Sequence, residues 1–244
     1  MQFVFAYDIL NTEIRKGMVT HMNKIDRRKT YFLMLDTETC NSMDDPFVYD
    51  IGLSVVDRYG NSYEKYSFVI RDIFMDEKEL MTSAYYAEKI PNYWNDIWAG
   101  KRKVVNFYEV KAKVWELCEK YNIRAVIAHN MRFDYRATAC TQRWLTKSKH
   151  RRFFPPNVEL WDTLRMARQV VVPTPTYQAY CKNRGFVDSR GKPRATAEIL
   201  YRYITCNDDF IESHTGLEDV EIETVIFAYC MAKHKKMARE AFSR

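Results

Sequence analysis

The chain has 244 residues, of which 47% are hydrophobic and 29% charged, and its formal net charge at pH 7 is +6. Length and composition are those of a globular protein with a substantial core, and no uncharged apolar stretch is long enough to predict a membrane span. The mild positive charge suits a polyanionic partner without requiring one. The six cysteines form no Cys-x-x-Cys pair, and the first residues lack a basic leader, so we expect a reducing, cytoplasmic setting.

The beginning of the chain divides into an extension and the start of a domain. Residues 1–29 contain three methionines, end in a basic cluster and match no pattern that assigns them a structure. We expect one domain over residues 30–244. Tyr31 to Leu35 is a continuous apolar run, typical of a strand buried on both faces, and Asp36-Thr37-Glu38 follows it directly.

The middle of the chain predicts a β-hairpin and then a helix. Residues 49–56 and 63–70 have strand patterns, and a short turn that contains Gly60 joins them. Residues 72–103 are expected to be irregular or weakly helical. Apolar residues then recur at helical spacing between positions 107 and 121.

In the second half of the chain, strands alternate with helices. Residues 123–128 and 158–161 predict two further strands, and a helix is expected after Asp134. Thr215-x-x-Glu218 predicts a capping box at the start of the last helix. The other helical patterns cover residues 163–170, 195–204 and a last stretch from about 216 to beyond 232. This order predicts an α/β fold with a mixed five-stranded sheet flanked by helices, and its site is expected beyond the carboxyl ends of strands.

The first candidate site is the pair of acids after the first strand. Asp36 and Glu38 are two residues apart, so an extended backbone projects both carboxylates to the same side. Two carboxylates on one side repel each other unless a cation lies between them. By itself, however, Asp-x-Glu is also a common surface tripeptide at the end of a strand.

The other candidate residues are ambiguous when each is taken alone. Asp134 closes the segment that begins at His129, and an acid near a helix start is usually a cap or a dipole partner. His214 precedes the predicted last helix, and Asp219 lies in its first turn, so both side chains can face one site. They can equally be a histidine in the capping region and an aspartate that stabilises the helix dipole.

Taken together, these motifs resemble those of the DEDD 3′-to-5′ exonucleases, in particular the histidine branch (DEDDh) of DnaQ-like proofreading subunits and ribonuclease T. The resemblance covers residues from about 30 to 236. The Asp-x-Glu motif after a buried strand is matched by Asp36 and Glu38. The later motifs are matched by Asn130, Phe133 and Asp134, then by Asp162-Thr163-Leu164, and last by His214 and Asp219.

The resemblance implies an RNase H-like fold and hydrolysis with two Mg²⁺ or Mn²⁺ ions. Oxygen-only ligands favour these ions over zinc. His214 would act as the general base. The implied metal ligands are Asp36, Glu38, Asp134 and Asp219. The implied substrate contacts are Thr37 through its backbone, Asn130 through its amide and Phe133 through stacking.

The function that we expect is 3′-to-5′ exonuclease activity on single-stranded DNA, with release of nucleoside 5′-monophosphates, by a free-standing or polymerase-associated enzyme. An exoribonuclease of the same fold is the alternative, because no motif reports contacts with the 2′-OH. A non-catalytic nucleic-acid binding module is a third reading, but it has no need of clustered acids. Two readings are open for the basic segment 147–152. Its charges can bind phosphates while the nearby Trp144, Phe153 and Phe154 stack bases, or it can be a solvated loop.

Overall fold

The computed structural model describes residues 25–147 and 152–242, and its centre is a six-stranded sheet. The expected extension, residues 1–29, therefore lies mostly outside the described residues. The six strands are β1 (Tyr31–Asn41), β2 (Pro46–Asp57), β3 (Ser62–Ile70), β4 (Lys103–Val105), β5 (Ala125–Ala128) and β6 (Glu159–Asp162).

The strands lie in the order β4-β3-β2-β1-β5-β6. The first three form an antiparallel meander, whereas β5 runs parallel to β1, β6 parallel to β5, and β4 parallel to β3. The α/β class and the mixed, helix-flanked sheet are thus confirmed. The sheet has six strands rather than the expected five, because β4 adds an edge strand of three residues. Three residues are too few to show an alternating pattern in the sequence.

Helices cover both faces of this sheet. In the described part of the chain, α1 to α4 are Arg71–Phe74, Lys78–Met81, Ile90–Trp98 and Phe107–Lys120. The remaining helices, α5 to α9, are Met131–Thr146, Thr163–Val170, Pro175–Arg184, Ala197–Thr205 and Gly216–Ala232. The segment 72–103 is therefore largely helical, and α7 lies in a stretch to which the sequence pattern assigned no helix. Pro175 starts α7, because Thr174 caps the helix and proline is well suited to its first turn.

Strand β1 alternates between two hydrophobic cores. Leu33 and Leu35 lie in the core that contains α4, whereas Phe32 and Met34 lie in the core that contains α9. The strand continues well beyond Leu35, so that Asp36-Thr37-Glu38 lies inside it, and the register with β2 shifts after Glu38. The two acids therefore extend the row of Phe32 and Met34 on the face that α9 covers.

A close backbone contact brings the start of α9 against β2. A Cβ atom built on Gly52 would lie 2.2 Å from the carbonyl carbon and oxygen of Gly216. Real Cβ atoms do not approach backbone so closely, so a side chain at position 52 would push the helix away from the sheet. The contact between these two glycines is what allows the first turn of α9 to reach the acids of β1.

Among the described residues, no helix is long and apolar enough to cross a membrane. All six cysteines are free thiols, and four of them are buried.

Candidate active site

Three carboxylates from two elements converge at the centre of the sheet. Asp36 and Glu38 project from β1, and Asp219 projects from the first turn of α9. One oxygen from each lies within 4.8 Å of the others. Asp219 Oδ1 is buried and has no hydrogen-bond partner in the described structure. Three carboxylates, one of which has an oxygen without a hydrogen-bond partner, form the oxygen-only donor set that a hard cation such as Mg²⁺ or Mn²⁺ prefers.

Asp134 lies beside this cluster rather than within it. Its side chain is 2% exposed, and its Oδ1 accepts a hydrogen bond from the hydroxyl of Thr37 at 2.8 Å. Thr37, which was expected to contact substrate through its backbone, uses its side chain to orient this carboxylate. The charge of Asp134 acts on both Asp36 and Glu38. It can therefore hold a second cation next to the cluster of three.

Glu223 is a further buried acid at the site, and the sequence analysis missed it. It lies four residues after Asp219, on the same face of α9. Its side chain is 3% exposed and accepts a hydrogen bond from the backbone N–H of His129 at 3.0 Å. The only sequence signal was the spacing Asp219-x-x-x-Glu223 on the buried side of an apolar helix. Glu223 adds negative charge behind Asp36 and Asp134.

Burial and mutual repulsion raise the pKa of every acid in this set. Removal from water is the largest cause, and the neighbouring carboxylates add to it. The pKa rises to about 9 for Glu38, to about 8 for Asp219 and to about 7 for Asp134. The pKa values of Asp36 and Glu223 rise well above their ordinary values. Full ionisation of this cluster near neutral pH thus calls for positive charge among the acids.

These raised pKa values predict that the metal-free protein loses stability as the pH rises. The folded chain keeps protons that the unfolded chain releases near pH 4, so this contribution is lost as the pH passes the folded values of about 7 to 9. We expect the melting temperature in EDTA to fall from about pH 5 to about pH 9, and Mg²⁺ to restore it at the alkaline end by binding only the folded state. Calorimetric melts with EDTA or Mg²⁺ measure both effects. A melting temperature in EDTA that is flat over this range would contradict the prediction.

His214 stands on the loop that enters α9, as the sequence analysis expected. Its backbone is left-handed, with φ +53°, and its ring stacks on Tyr86, with centroids 4.1 Å apart and planes 9° apart. One ring nitrogen lies within 4.8 Å of carboxylate oxygens of Asp219 and of Glu212. Burial lowers the pKa of His214, which keeps the imidazole neutral and able to accept a proton near neutral pH.

The segment 72–103 supplies one wall of the site. Tyr86, whose ring lies against His214, comes from this segment, and the backbone N–H of Tyr85 donates to the carbonyl of Thr39 on β1 at 3.3 Å. The segment also carries Arg102, which belongs to a basic stretch but is only 5% exposed. The segment 72–103 therefore packs directly against His214.

Arg102 and Asp50 fix the start of α9. Asp50 is fully buried on β2 and accepts the backbone N–H of Gly216 at 2.9 Å, and Arg102 donates to Asp50 at 3.3 Å and to Glu218 at 3.0 Å. The predicted capping box does not form, because the hydroxyl of Thr215 donates to the Glu218 carboxylate at 2.6 Å instead of accepting a backbone N–H. Long-range partners thus replace the local cap at the helix that carries Asp219.

The other residues that the sequence predicted at the site differ in exposure. Asn130 has an exposed side chain and a left-handed backbone, with φ +70°, directly before α5. Phe133 is partly buried against the core, with the guanidinium of Arg136 over its ring. Asp162 caps α6 and accepts the backbone N–H of Asn130 at 3.0 Å. It therefore acts as an N-cap that also anchors the turn before α5.

The basic segment 147–152 is described only at its ends, since residues 148–151 lie outside the described part of the chain. The aromatic residues near this segment differ in how exposed they are. Phe153 and Phe154 are buried core residues, 1% and 5% exposed, and are not available to bases. Trp144 is 48% exposed and stacks on Phe47. Base stacking by the two phenylalanines, one of the two readings that the sequence left open, is excluded because hydrophobic burial uses both rings.

No family model and no curated protein matches the chain. Solved structures with a similar fold include exonuclease X in complex with 5′-overhanging duplex DNA, at 15% identity and a TM-score of 0.43, with 87% of this chain and 97% of that chain covered. They also include exonuclease I from Methylocaldum szegediense, at 19% identity and a TM-score of 0.48, with 85% of this chain covered. Escherichia coli exonuclease I in complex with a dA16 oligonucleotide has 16% identity and a TM-score of 0.47, with 84% of this chain covered. The chain spans 41% of the length of each of these two exonuclease I chains.

Proposed function

We propose that this protein is a 3′-to-5′ exonuclease that hydrolyses single-stranded DNA with the help of two divalent cations. The observation that carries the proposal is the convergence of Asp36, Glu38 and Asp219 within 4.8 Å, next to the buried Asp134 and beside His214. Buried carboxylates that repel each other lower the stability of a fold, so a cluster of them with raised pKa values indicates a functional site. A neutral imidazole at their edge adds a group that can take a proton from water.

Each group of the site has a distinct task in this proposal. Asp36, Glu38 and Asp219 would hold one cation, and Asp134, kept in orientation by Thr37, would hold a second together with Asp36. Cations there would supply electrostatic stabilisation of the charge that develops on the phosphodiester. His214 accepts the proton of the attacking water, and the stacked ring of Tyr86 keeps its imidazole beside the carboxylates.

The surface next to the site suits a single strand. Tyr85 is 71% exposed, and its ring contacts that of Tyr86 edge-on, with centroids 4.9 Å apart. An exposed aromatic ring next to a cation site can stack an unpaired base, and the net charge of +6 favours a polyanion. Asn130, directly before the helix that carries Asp134, has an exposed amide that can contact the strand. We place these functions in a domain of residues 30–244, with residues 1–29 as an extension.

The deciding experiment uses oligonucleotides labelled at one end. We expect stepwise shortening of single-stranded DNA from a free 3′ end, with nucleoside 5′-monophosphate as product, in Mg²⁺ or Mn²⁺ and not in EDTA. A 3′-phosphate should slow the reaction sharply. Matched RNA oligonucleotides in the same assay decide whether the sugar matters. Cleavage of a circular strand, or equal rates on blocked and open 3′ ends, would refute the proposal.

A further inference from the structure

A second group of potential metal ligands shares Asp219 with the carboxylate cluster. It consists of Glu212, His214 and Asp219, each of which offers one ligand atom within 4.8 Å of the others. Glu212 lies two residues before His214 on the loop that enters α9, and 13% of its side chain is exposed. The first cluster contains only oxygen donors, whereas this one contains an imidazole nitrogen. Nothing in the proposed hydrolysis uses Glu212.

The distance between two of these ligand atoms is close to the distance between ligands of a bound ion. His214 Nδ1 and Glu212 Oε2 are 3.8 Å apart, which is too far for a hydrogen bond. Nitrogen and oxygen ligands about 2.1 Å from a tetrahedral ion lie about 3.4 Å from each other, so this pair needs little movement. Asp219 Oδ1 is buried and unpartnered in the described structure, which leaves an oxygen available on the third ligand.

We propose that Glu212, His214 and Asp219 form an inhibitory site for a transition-metal ion of the Zn²⁺ class. A donor set of one imidazole and two carboxylates suits Zn²⁺, whereas Mg²⁺ prefers oxygen alone. An ion held there occupies the imidazole lone pair, so His214 no longer accepts a proton. The inhibition rests on the proposed function, but binding of the ion does not.

The surroundings of the group support a bound cation. Glu212 is largely buried, and the charge of Glu198 acts on it. The stacked ring of Tyr86 holds His214 beside these acids. The charges of Glu198 and Glu88 and the opposite charge of Lys89 act on His214.

Calorimetric titration with Zn²⁺ tests the site independently of activity. The full-length Asp36→Asn variant is the background, because it removes a ligand that only the oxygen cluster uses. Within it, we expect Glu212→Gln to weaken Zn²⁺ binding at least about tenfold, and His214→Ala to do the same. Glu221→Gln is the matched control, since Glu221 is an exposed acid of α9 that pairs with Lys65. Equal Zn²⁺ affinity of the Glu212→Gln and Glu221→Gln variants would overturn the proposal, because binding to thiols or to the surface is common to both.

Inhibition in Mg²⁺ is the second measurement. With Asp36 intact, and each rate normalised to that variant's own rate without Zn²⁺, the Glu212→Gln variant should need at least about ten times more Zn²⁺ for half-inhibition than the wild type. Glu221→Gln should match the wild type. If the wild type binds Zn²⁺ through this group but hydrolyses nothing in Mg²⁺, the proposed function fails while the metal site stands. If hydrolysis proceeds and the two variants respond equally to Zn²⁺, the metal site fails alone.

Discussion

Asp36→Asn is expected to reduce oligonucleotide hydrolysis to the detection limit while the protein remains folded. Asp36 is the residue that links the cluster of three to Asp134, so its loss weakens both proposed cation positions. The loss of rate should exceed the roughly 10²–10⁴-fold that removal of a general base causes. Rates of 3′-end shortening in saturating Mg²⁺, together with circular dichroism, measure both properties.

The same substitution should raise the stability of the metal-free protein. Asparagine has nearly the shape of aspartate but removes one charge from a set of buried acids that repel each other. The melting temperature in EDTA at about pH 8 should therefore be higher for Asp36→Asn than for the wild type. Asp44→Asn is the control, because Asp44 is an exposed residue of the loop between β1 and β2. Near-normal hydrolysis by folded Asp36→Asn would remove this residue from the site.

His214→Ala is expected to lower kcat by about 10²–10⁴-fold, the usual contribution of a general base. Burial lowers the pKa of His214, so the acidic limb of the wild-type pH–rate profile should lie below the ordinary histidine value of about 6.5. The variant should lack this limb. Stabilisation by Mg²⁺ should be unchanged, because the oxygen cluster does not include the imidazole. Single-turnover rates across the pH range and melts with Mg²⁺ provide the two measurements.

His234→Ala is the matched control for this experiment. His234 follows the far end of α9, a helix of 17 residues, so it lies about 25 Å from the first turn that carries Asp219. Its substitution should change neither kcat nor the acidic limb. If His214→Ala instead abolished stabilisation by Mg²⁺ and kept the wild-type pH profile, His214 would be a ligand of the catalytic cations and not the base.

The sequence determined those parts of the protein that depend on neighbouring residues. The apolar run before Asp36, the two-residue spacing to Glu38 and the hairpin that follows all arise from the period of a strand, and the structure contains them. The α/β class follows from the order of such elements along the chain. The position of His214 before the last helix was also predictable, because a helix start has local signals.

Only the tertiary structure decided how these pieces meet. The Thr215-x-x-Glu218 motif marked the helix start correctly although its capping box does not form, and Asp50 and Arg102, distant in sequence, provide the partners of that helix end. Glu223 and Glu212 belong to no motif. They are close in sequence to Asp219 and His214, but only folding places Glu223 against the backbone of His129 and Glu212 within reach of Asp219. Burial then sets the pKa of each of these groups, since desolvation depends on what surrounds a side chain and not on its neighbours in sequence. The residue types were therefore readable from the chain, while their charge states and partners come from the packing of α9 against β1 and β2.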